Sequence, residues 1–160
     1  MEIVRTKGER ETRALGKRVA EEILRRAAQL PRRSAAVLTL EGELGAGKTA
    51  FAKGFAGALG STGVVSPTYT LMRSWRLGAR VRDRIMRLRL VHIDAYRLKG
   101  EKEAEGAGIG EALRDPENIV LVEWPERVAA ILPRRRVRVL LEHTTRAEER
   151  KVRLSGIPRG

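Results

Sequence analysis

The sequence of 160 residues contains no cysteine and only two histidines, His92 and His143. The absence of cysteine excludes disulfides, thiol nucleophiles, iron–sulfur clusters and cysteine zinc sites. Two histidines are too few for a histidine-rich metal centre. No apolar run approaches the roughly 18 residues of a membrane span, and residues 1–10 lack the apolar core of a signal peptide. We therefore expect a cytoplasmic protein that does not associate with a membrane.

Acidic residues are few relative to basic ones. The chain has 33 lysines and arginines against 20 aspartates and glutamates, and its net charge is +13. This balance suits a polyanionic partner such as nucleic acid, although a general enrichment in arginine would produce the same charge. The hydrophobic content of 42% is sufficient for a globular core. Because one domain takes roughly 100–200 residues, we predict a single domain over residues 1–160.

The apolar pattern predicts alternating helices and strands. Apolar residues recur every four positions over Glu11–Leu30, which indicates an amphipathic helix that Pro31 ends. Thr6 and Thr12 are candidate caps at its beginning. The other predicted elements are strands 35–40, 69–75, 85–93 and 119–122, helices 48–59 and 125–132, a basic loop 77–84, a polar loop 100–110 with a helical turn at 101–105, and a terminal hairpin of 136–141 with 151–154. This order indicates an α/β fold with a mainly parallel central sheet and antiparallel edge strands.

Residues Gly42–Thr49 (GELGAGKT) match the phosphate-binding pattern G-x-x-x-x-G-K-[ST]. Glycines let the backbone turn so that successive N–H groups point at phosphate oxygens, and the following helix adds its positive dipole end. In this pattern Lys48 reaches the β- and γ-phosphates and the Thr49 hydroxyl binds Mg²⁺. A glycine-rich loop that merely caps a helix is the alternative. The predicted strand before the motif and helix after it favour a P-loop NTPase-like three-layer fold.

Two carboxylates end apolar strands, as a magnesium-dependent NTPase requires. Asp94 ends the run 88–94, and Glu123 ends the run 119–123. Each could instead be a carboxylate solvated at a strand end, and Asp94 could pair with His92 or Arg97. The guanine-reading sequence Asn-Lys-x-Asp is absent, which disfavours a Ras-like GTPase.

Several motifs together resemble the TsaE (YjeE) family, P-loop ATPases of bacterial tRNA threonylcarbamoyladenosine (t6A) synthesis. In chain order these motifs are Glu11-Thr-x-x-Leu15-Gly16, Leu44–Thr49, Ser66–Thr70, His92–Arg97 and Val122–Pro125. The chain departs from the family at Ile93 and Ala95, where Phe and Leu are usual, and at Glu43, where Asp is frequent. These changes leave the proposed ligands intact.

The resemblance implies ATP as the nucleotide and Mg²⁺ as the metal. It implies Lys48 and Asp94 as catalytic residues, Asp94 acting as general base or water orienter, and Thr49 and Glu123 as metal ligands. Thr12 would contact the base and Thr68 the γ-phosphate, although ordinary capping and a simple turn are the respective alternatives. The predicted nucleotide-binding set is Thr12, Glu43, Leu44, Gly45, Ala46, Gly47, Lys48, Thr49, Ala50 and Thr68.

The resemblance also implies partners. In the family, TsaD paired with TsaB transfers the threonylcarbamoyl group, so this protein would dock on that pair and reset it by hydrolysing ATP. The basic segment Arg73–Arg89 could contact tRNA, an acidic protein or only water. Two other classes remain open: a small-molecule kinase with Arg76–Arg89 as a lid, and an RNA-binding module whose phosphate loop holds a backbone phosphate.

Overall fold

Seven strands form one mixed β-sheet in the computed structural model, which describes residues 1–27, 32–61, 71–77, 80–81, 84–85 and 87–157. Numbered along the chain, the strands are β1 (Glu2–Lys7), β2 (Ala36–Glu41), β3 (Met72–Leu77), β4 (Arg80–Val81), β5 (Arg84–Ile85), β6 (Leu88–Asp94), β7 (Asn118–Glu123), β8 (Val137–His143) and β9 (Glu149–Ser155). The order in the sheet is β1-β9-β8-β2-β7-β6-β3, and β4 pairs separately with β5.

The centre of this sheet is parallel and its edges are antiparallel. Strand β2 runs parallel to β7 and β8, and β6 runs parallel to β7. Strands β9 and β1 extend one edge in antiparallel pairing, and β3 closes the other. Every residue of β7 is buried, as expected for an apolar run covered on both faces. The predicted fold class is confirmed.

Helices cover both faces of the sheet and give three layers. Helices α1 (Glu9–Ala27) and α2 (Lys48–Ala58) cover one face. On the other lie α3 (Glu101–Gly106), α4 (Ile109–Arg114) and the 3₁₀ segments Ala95–Arg97 and Pro125–Ile131. The alternation of strand side chains separates the two cores: Leu38 and Leu40 pack on the first face, whereas Val37 packs on the second. Among the described helices, none is long and apolar enough to cross a bilayer.

The N-terminal strand β1 is the main element that the sequence did not predict. Thr6, a candidate cap, lies within β1, and α1 begins at Glu9. The Thr12 hydroxyl instead bonds to the Gly8 carbonyl oxygen at 3.1 Å and lies 2.8 Å from the Thr6 hydroxyl. The strand was missed because it lies at the sheet edge and five of its six residues are not buried, so it carries little apolar signal.

Three further local predictions need correction. The predicted loop 77–84 contains β4, and the predicted strand 85–93 is divided between β5 and β6. The segment 100–110, predicted as a loop with one helical turn, contains the whole of α3. Its last two residues are the first two of α4. Pieces of the predicted elements at 28–30 and 69–70 lie outside the described residues.

In strands β3 and β6, Arg76 and Arg89 lie on one face of the sheet and Arg73 lies on the other. Strand pairing places Arg73 opposite His92 and Arg76 opposite Arg89, so alternation puts Arg73 and Arg76 on different faces. Arg89 bonds to the Asn118 side chain and forms an ion pair with Asp115. Binding of tRNA by the segment Arg73–Arg89, and a lid role for Arg76–Arg89, stay predictions.

Two glycines allow α1 and α2 to pack backbone against backbone. A Cβ on Gly16 would lie 2.2 Å from the Phe51 carbonyl oxygen, and one on Gly54 would lie 2.0 Å from the Arg13 carbonyl oxygen. Because backbone cannot move aside cheaply, we expect Gly16→Ala to lower the free energy of unfolding by about 1–3 kcal/mol in urea denaturation.

Gly57 in α2 provides the matched control for this prediction. A Cβ there has open space within 4 Å, so Gly57→Ala should raise stability by about 0.5–1 kcal/mol through helix propensity alone. Equal effects of the two substitutions would show that the helices do not approach as closely as described.

Candidate functional site

The glycine-rich loop between β2 and α2 adopts a conformation that its glycines make possible. Gly42, Gly45 and Gly47 have φ angles of 140°, 76° and 100°, a region that L side chains rarely adopt. A Cβ on Gly42 would also lie 2.4 Å from the Leu141 carbonyl oxygen. The loop therefore turns tightly against β8, and α2 begins directly after Gly47.

The N-terminus of α2 offers hydrogen-bond donors together with the ammonium group of Lys48. No side chain among the described residues caps this terminus, so its N–H groups and dipole are available to an anion. Lys48 is 7% exposed, and its Nζ donates to the carbonyl oxygens of Gly42 at 2.6 Å and Glu43 at 2.8 Å. Burial lowers the pKa of Lys48, while the negative charges of nearby carboxylates oppose this shift. This donor set fits phosphate oxygens.

The two carboxylates predicted at strand ends are direct neighbours in the sheet. Asp94 pairs in register with Glu123 because β6 and β7 run parallel. Glu123 is 4% exposed, and its Oε1 lies 2.8 Å from His92 Nε2. Since a carboxylate only accepts hydrogen bonds, Nε2 is the donor. His92 thus orients Glu123 rather than Asp94, and its buried Nδ1 has no partner among the described residues.

Asp94 accepts a hydrogen bond from the Tyr96 N–H at 3.2 Å, at the beginning of the 3₁₀ segment. Burial raises the pKa of Asp94; the Tyr96 N–H counteracts this rise and the nearby Glu123 charge adds to it. A carboxylate with a raised pKa accepts a proton more readily than an ordinary aspartate, as a general base requires.

The raised pKa of Asp94 predicts a gain in stability on removal of its charge. The folded state disfavours the ionised form of Asp94, and this lowers the free energy of unfolding. The lowering is complete above the pKa of Asp94 in the folded protein. It disappears as the pH falls below the ordinary pKa of aspartate. Asp94→Asn should therefore unfold at a higher temperature than the native protein at pH 8, with the difference vanishing near pH 3. Thermal unfolding across this range tests the prediction; a lower midpoint for the variant at pH 8 contradicts it.

These groups line one cavity of about 790 Å³ at the carboxyl ends of the parallel strands. Nine of the predicted site residues contribute to its wall: Thr12, Leu44, Gly45, Gly47, Lys48, Thr49, Ala50, Asp94 and Glu123. Ala46 is fully buried instead, and Glu43 contributes its carbonyl oxygen to Lys48 rather than its side chain to the wall. Thr68 lies outside the described residues.

Other parts of the wall were not predicted from the sequence. Gly8 precedes α1 and Glu9 is its first residue, while Ala147, Glu148 and Arg150 belong to the turn and start of β9. Arg150 Nη2 lies 3.4 Å from the Gly45 carbonyl oxygen. No local motif marks these residues, because the antiparallel pairing of β9 with β8 brings them to the glycine-rich loop.

Trp124 closes the side of the cavity next to Lys48. Its φ of 56° is the only positive value at a non-glycine position among the described residues. Lys48 Nζ lies 4.3 Å from the centroid of the Trp124 ring, and the Tyr96 ring centroid lies 5.1 Å from it. Trp124 is half-buried, lining the site on one side and packing against the second core on the other. The motif Ser66–Thr70 lies outside the described residues.

The oxygen donors of the cavity fit a hard cation that keeps most of its water. Thr49 is exposed to the cavity and Glu123 lines it from β7. Within the described ranges, no group of three or more His, Cys, Asp or Glu side chains converges on a point. Mg²⁺ is commonly held by one or two protein ligands together with substrate phosphates and water. The residues present are compatible with that mode.

Comparison with known proteins gives a consistent result. The family model described as "Threonylcarbamoyl adenosine biosynthesis protein TsaE" matches residues 6–152. A tRNA threonylcarbamoyladenosine biosynthesis protein TsaE of Bacillus subtilis is 38% identical over 122 residues, covering 76% of this chain and 70% of that protein. The protein of the same name from Mycobacterium leprae is 33% identical over 145 residues, covering 88% and 81%. The crystal structure of Bacillus subtilis YdiB matches with a TM-score of 0.67 and 32% identity, covering 94% of this chain and 82% of that one.

Proposed function

Because this chain belongs to the TsaE family, we propose that it is a Mg²⁺-dependent ATPase that supports threonylcarbamoyladenosine modification of tRNA. The relatives from Bacillus subtilis and Mycobacterium leprae are named for tRNA threonylcarbamoyladenosine biosynthesis. The proposal is supported above all by one arrangement. A phosphate-binding loop, its lysine and two strand-end carboxylates line a single cavity.

The glycine-rich loop and Lys48 bind the phosphates. The N–H groups at the start of α2 donate hydrogen bonds to phosphate oxygens. Lys48 Nζ, which donates to two loop carbonyl oxygens in the structure, donates to the β- and γ-phosphates when the nucleotide is bound. Thr12 and Gly8 border the same cavity next to the loop. The Thr12 hydroxyl donates to the Gly8 carbonyl oxygen. Thr12 therefore packs beside the nucleotide and does not donate a hydrogen bond to it.

Thr49 and Glu123 hold Mg²⁺, directly or through its water molecules. When bound, the cation supplies positive charge that neutralises the phosphate oxygens during transfer. His92 fixes the Glu123 carboxylate in one orientation from within the core, as a positioning partner does at many metal sites. Asp94 orients the attacking water or accepts its proton, and its raised pKa suits the second task.

We further propose that the protein acts with TsaB and TsaD. In this scheme it carries out no chemistry on the nucleobase. It docks on the TsaB–TsaD pair, and ATP hydrolysis resets that pair between rounds of modification. A role of this kind predicts slow hydrolysis by the protein alone and faster hydrolysis when the partners are present.

The test measures phosphate release from ATP by the protein alone and with purified TsaB–TsaD, together with capture of the protein by tagged TsaB–TsaD with and without ATP. We expect the partners to stimulate hydrolysis and ATP to change the amount captured. Lys17→Ala, an exposed substitution on the outer surface of α1, serves as a control for both readouts. Unchanged hydrolysis with no capture would refute the partnership.

A further inference from the structure

A second cavity lies at the opposite end of the sheet from the phosphate-binding loop. It has a volume of about 460 Å³ and lies between the end of α1 and the residues that precede β2 and β8. Its charged lining consists of Arg26, Arg32, Arg33, Arg135 and Arg136. Among the described residues of its wall, none carries a carboxylate. Five cations facing a concave surface without a lining anion make it strongly positive.

Two of these guanidinium groups, those of Arg26 and Arg136, each have one buried nitrogen without a partner in the described residues. Arg26 Nη2 and Arg136 Nε are inaccessible to solvent and have no hydrogen-bond partner in the described part of the chain. Arg26 uses its Nε for Glu22, and Arg136 uses Nη1 for the Pro133 carbonyl oxygen. An anion in the cavity would contact the accessible nitrogens of the same guanidinium groups and balance their charge.

The remaining arginines extend this donor set from the interior to the surface. Arg32 donates to the Asn118 carbonyl oxygen at 3.1 Å, and burial lowers the pKa of its guanidinium. Arg33 and Arg135 are exposed at the rim. A gradient from buried to exposed arginines suits a ligand with one phosphate in the cavity and others outside it.

We propose that this arginine cavity, defined by Arg26, Arg32, Arg33, Arg135 and Arg136, binds phosphate groups of an RNA backbone. The choice of RNA rests on the proposed role in tRNA modification, whereas the anion preference rests on the cavity itself. Strand β2 separates the cavity from the glycine-rich loop, a distance on the order of 20 Å for six residues. ATP and RNA would therefore bind independently at the two ends of the sheet.

The test compares two double variants that remove the same charge. Arg33→Ala with Arg135→Ala removes the exposed rim and leaves the buried arginines in place. Lys17→Ala with Lys102→Ala removes two exposed lysines elsewhere. Binding of a fluorescently labelled unmodified tRNA transcript is measured by anisotropy across a salt series, and ATP affinity is measured for each variant.

We expect the arginine variant to bind the transcript about tenfold more weakly than the lysine variant, with a salt dependence lower by about 1.4 on logarithmic axes for two lost phosphate contacts. Its ATP affinity should not change. Because transcript binding is measured separately from ATP hydrolysis, this proposal can hold even if the protein proves to have no ATPase activity. Equal effects of the two double variants, or no binding of the transcript by the native protein, would overturn it.

Loss of TsaB–TsaD capture with unchanged transcript binding would overturn the RNA proposal and assign the cavity to an acidic protein. Displacement of the transcript by millimolar inorganic phosphate at constant ionic strength would overturn it too and assign the cavity to a free anion.

Discussion

Replacing Lys48 by alanine is expected to lower the rate of ATP hydrolysis by about 100- to 1,000-fold. A loss of this size is usual when an enzyme loses one donor that stabilises charge in the transition state. Lys48 is the cation nearest the loop, with Nζ bonded to two loop carbonyl oxygens at 2.6 and 2.8 Å. Steady-state phosphate release with saturating Mg²⁺ and ATP measures the effect.

Lys53→Ala is the matched control, because Lys53 lies on the exposed side of the same helix. It should hydrolyse ATP at the native rate and unfold at a similar temperature. If Lys48→Ala retained more than about a tenth of native activity, the phosphate-binding role of this loop would have to be abandoned.

Glu123→Gln is expected to lower hydrolysis by about 100-fold or more and to shift the Mg²⁺ requirement to higher concentration. The substitution removes the negative charge but keeps the shape, and the glutamine oxygen can still accept the bond from His92 Nε2. Stability should therefore change little, while ATP binding without Mg²⁺ is retained. Phosphate release measured over a Mg²⁺ titration separates these effects.

Glu126→Gln removes the same charge three residues further along the chain, where the side chain is exposed. Glu126 contributes to the electrostatic field at Lys48 but does not line the cavity. We expect hydrolysis by this variant within about threefold of native. Similar losses in both variants would indicate a general effect of charge on the cavity rather than a metal ligand at Glu123.

Local sequence patterns predicted the centre of the fold and most of the site. The run 119–122 is apolar throughout, so it identified a strand buried on both faces, and Glu123 followed as a residue at its carboxyl end. The spacing of Gly42, Gly47 and Lys48 specified the loop because only glycine tolerates the backbone angles needed. A short motif that requires particular backbone angles was sufficient to predict the loop conformation, while the roles of its residues stay predictions.

Features created by tertiary contact were not predicted. Strand β1 carries few buried residues and is recognisable only through its pairing with β9. Arg150 reaches the glycine-rich loop because the terminal hairpin lies beside β2. The arginine cavity likewise combines residues separated by about 100 positions in the chain, such as Arg33 and Arg135, which no periodicity links.

We propose that ATP hydrolysis at this site supports repeated rounds of tRNA modification. The most direct measurement is the amount of threonylcarbamoyladenosine formed on a tRNA transcript when the TsaB–TsaD pair is limiting. With the native protein, ATP and Mg²⁺, we expect many modified tRNA molecules per TsaB–TsaD pair. With Lys48→Ala we expect modification to stop after a single round, and equal yields with the two proteins would refute the proposed role of hydrolysis.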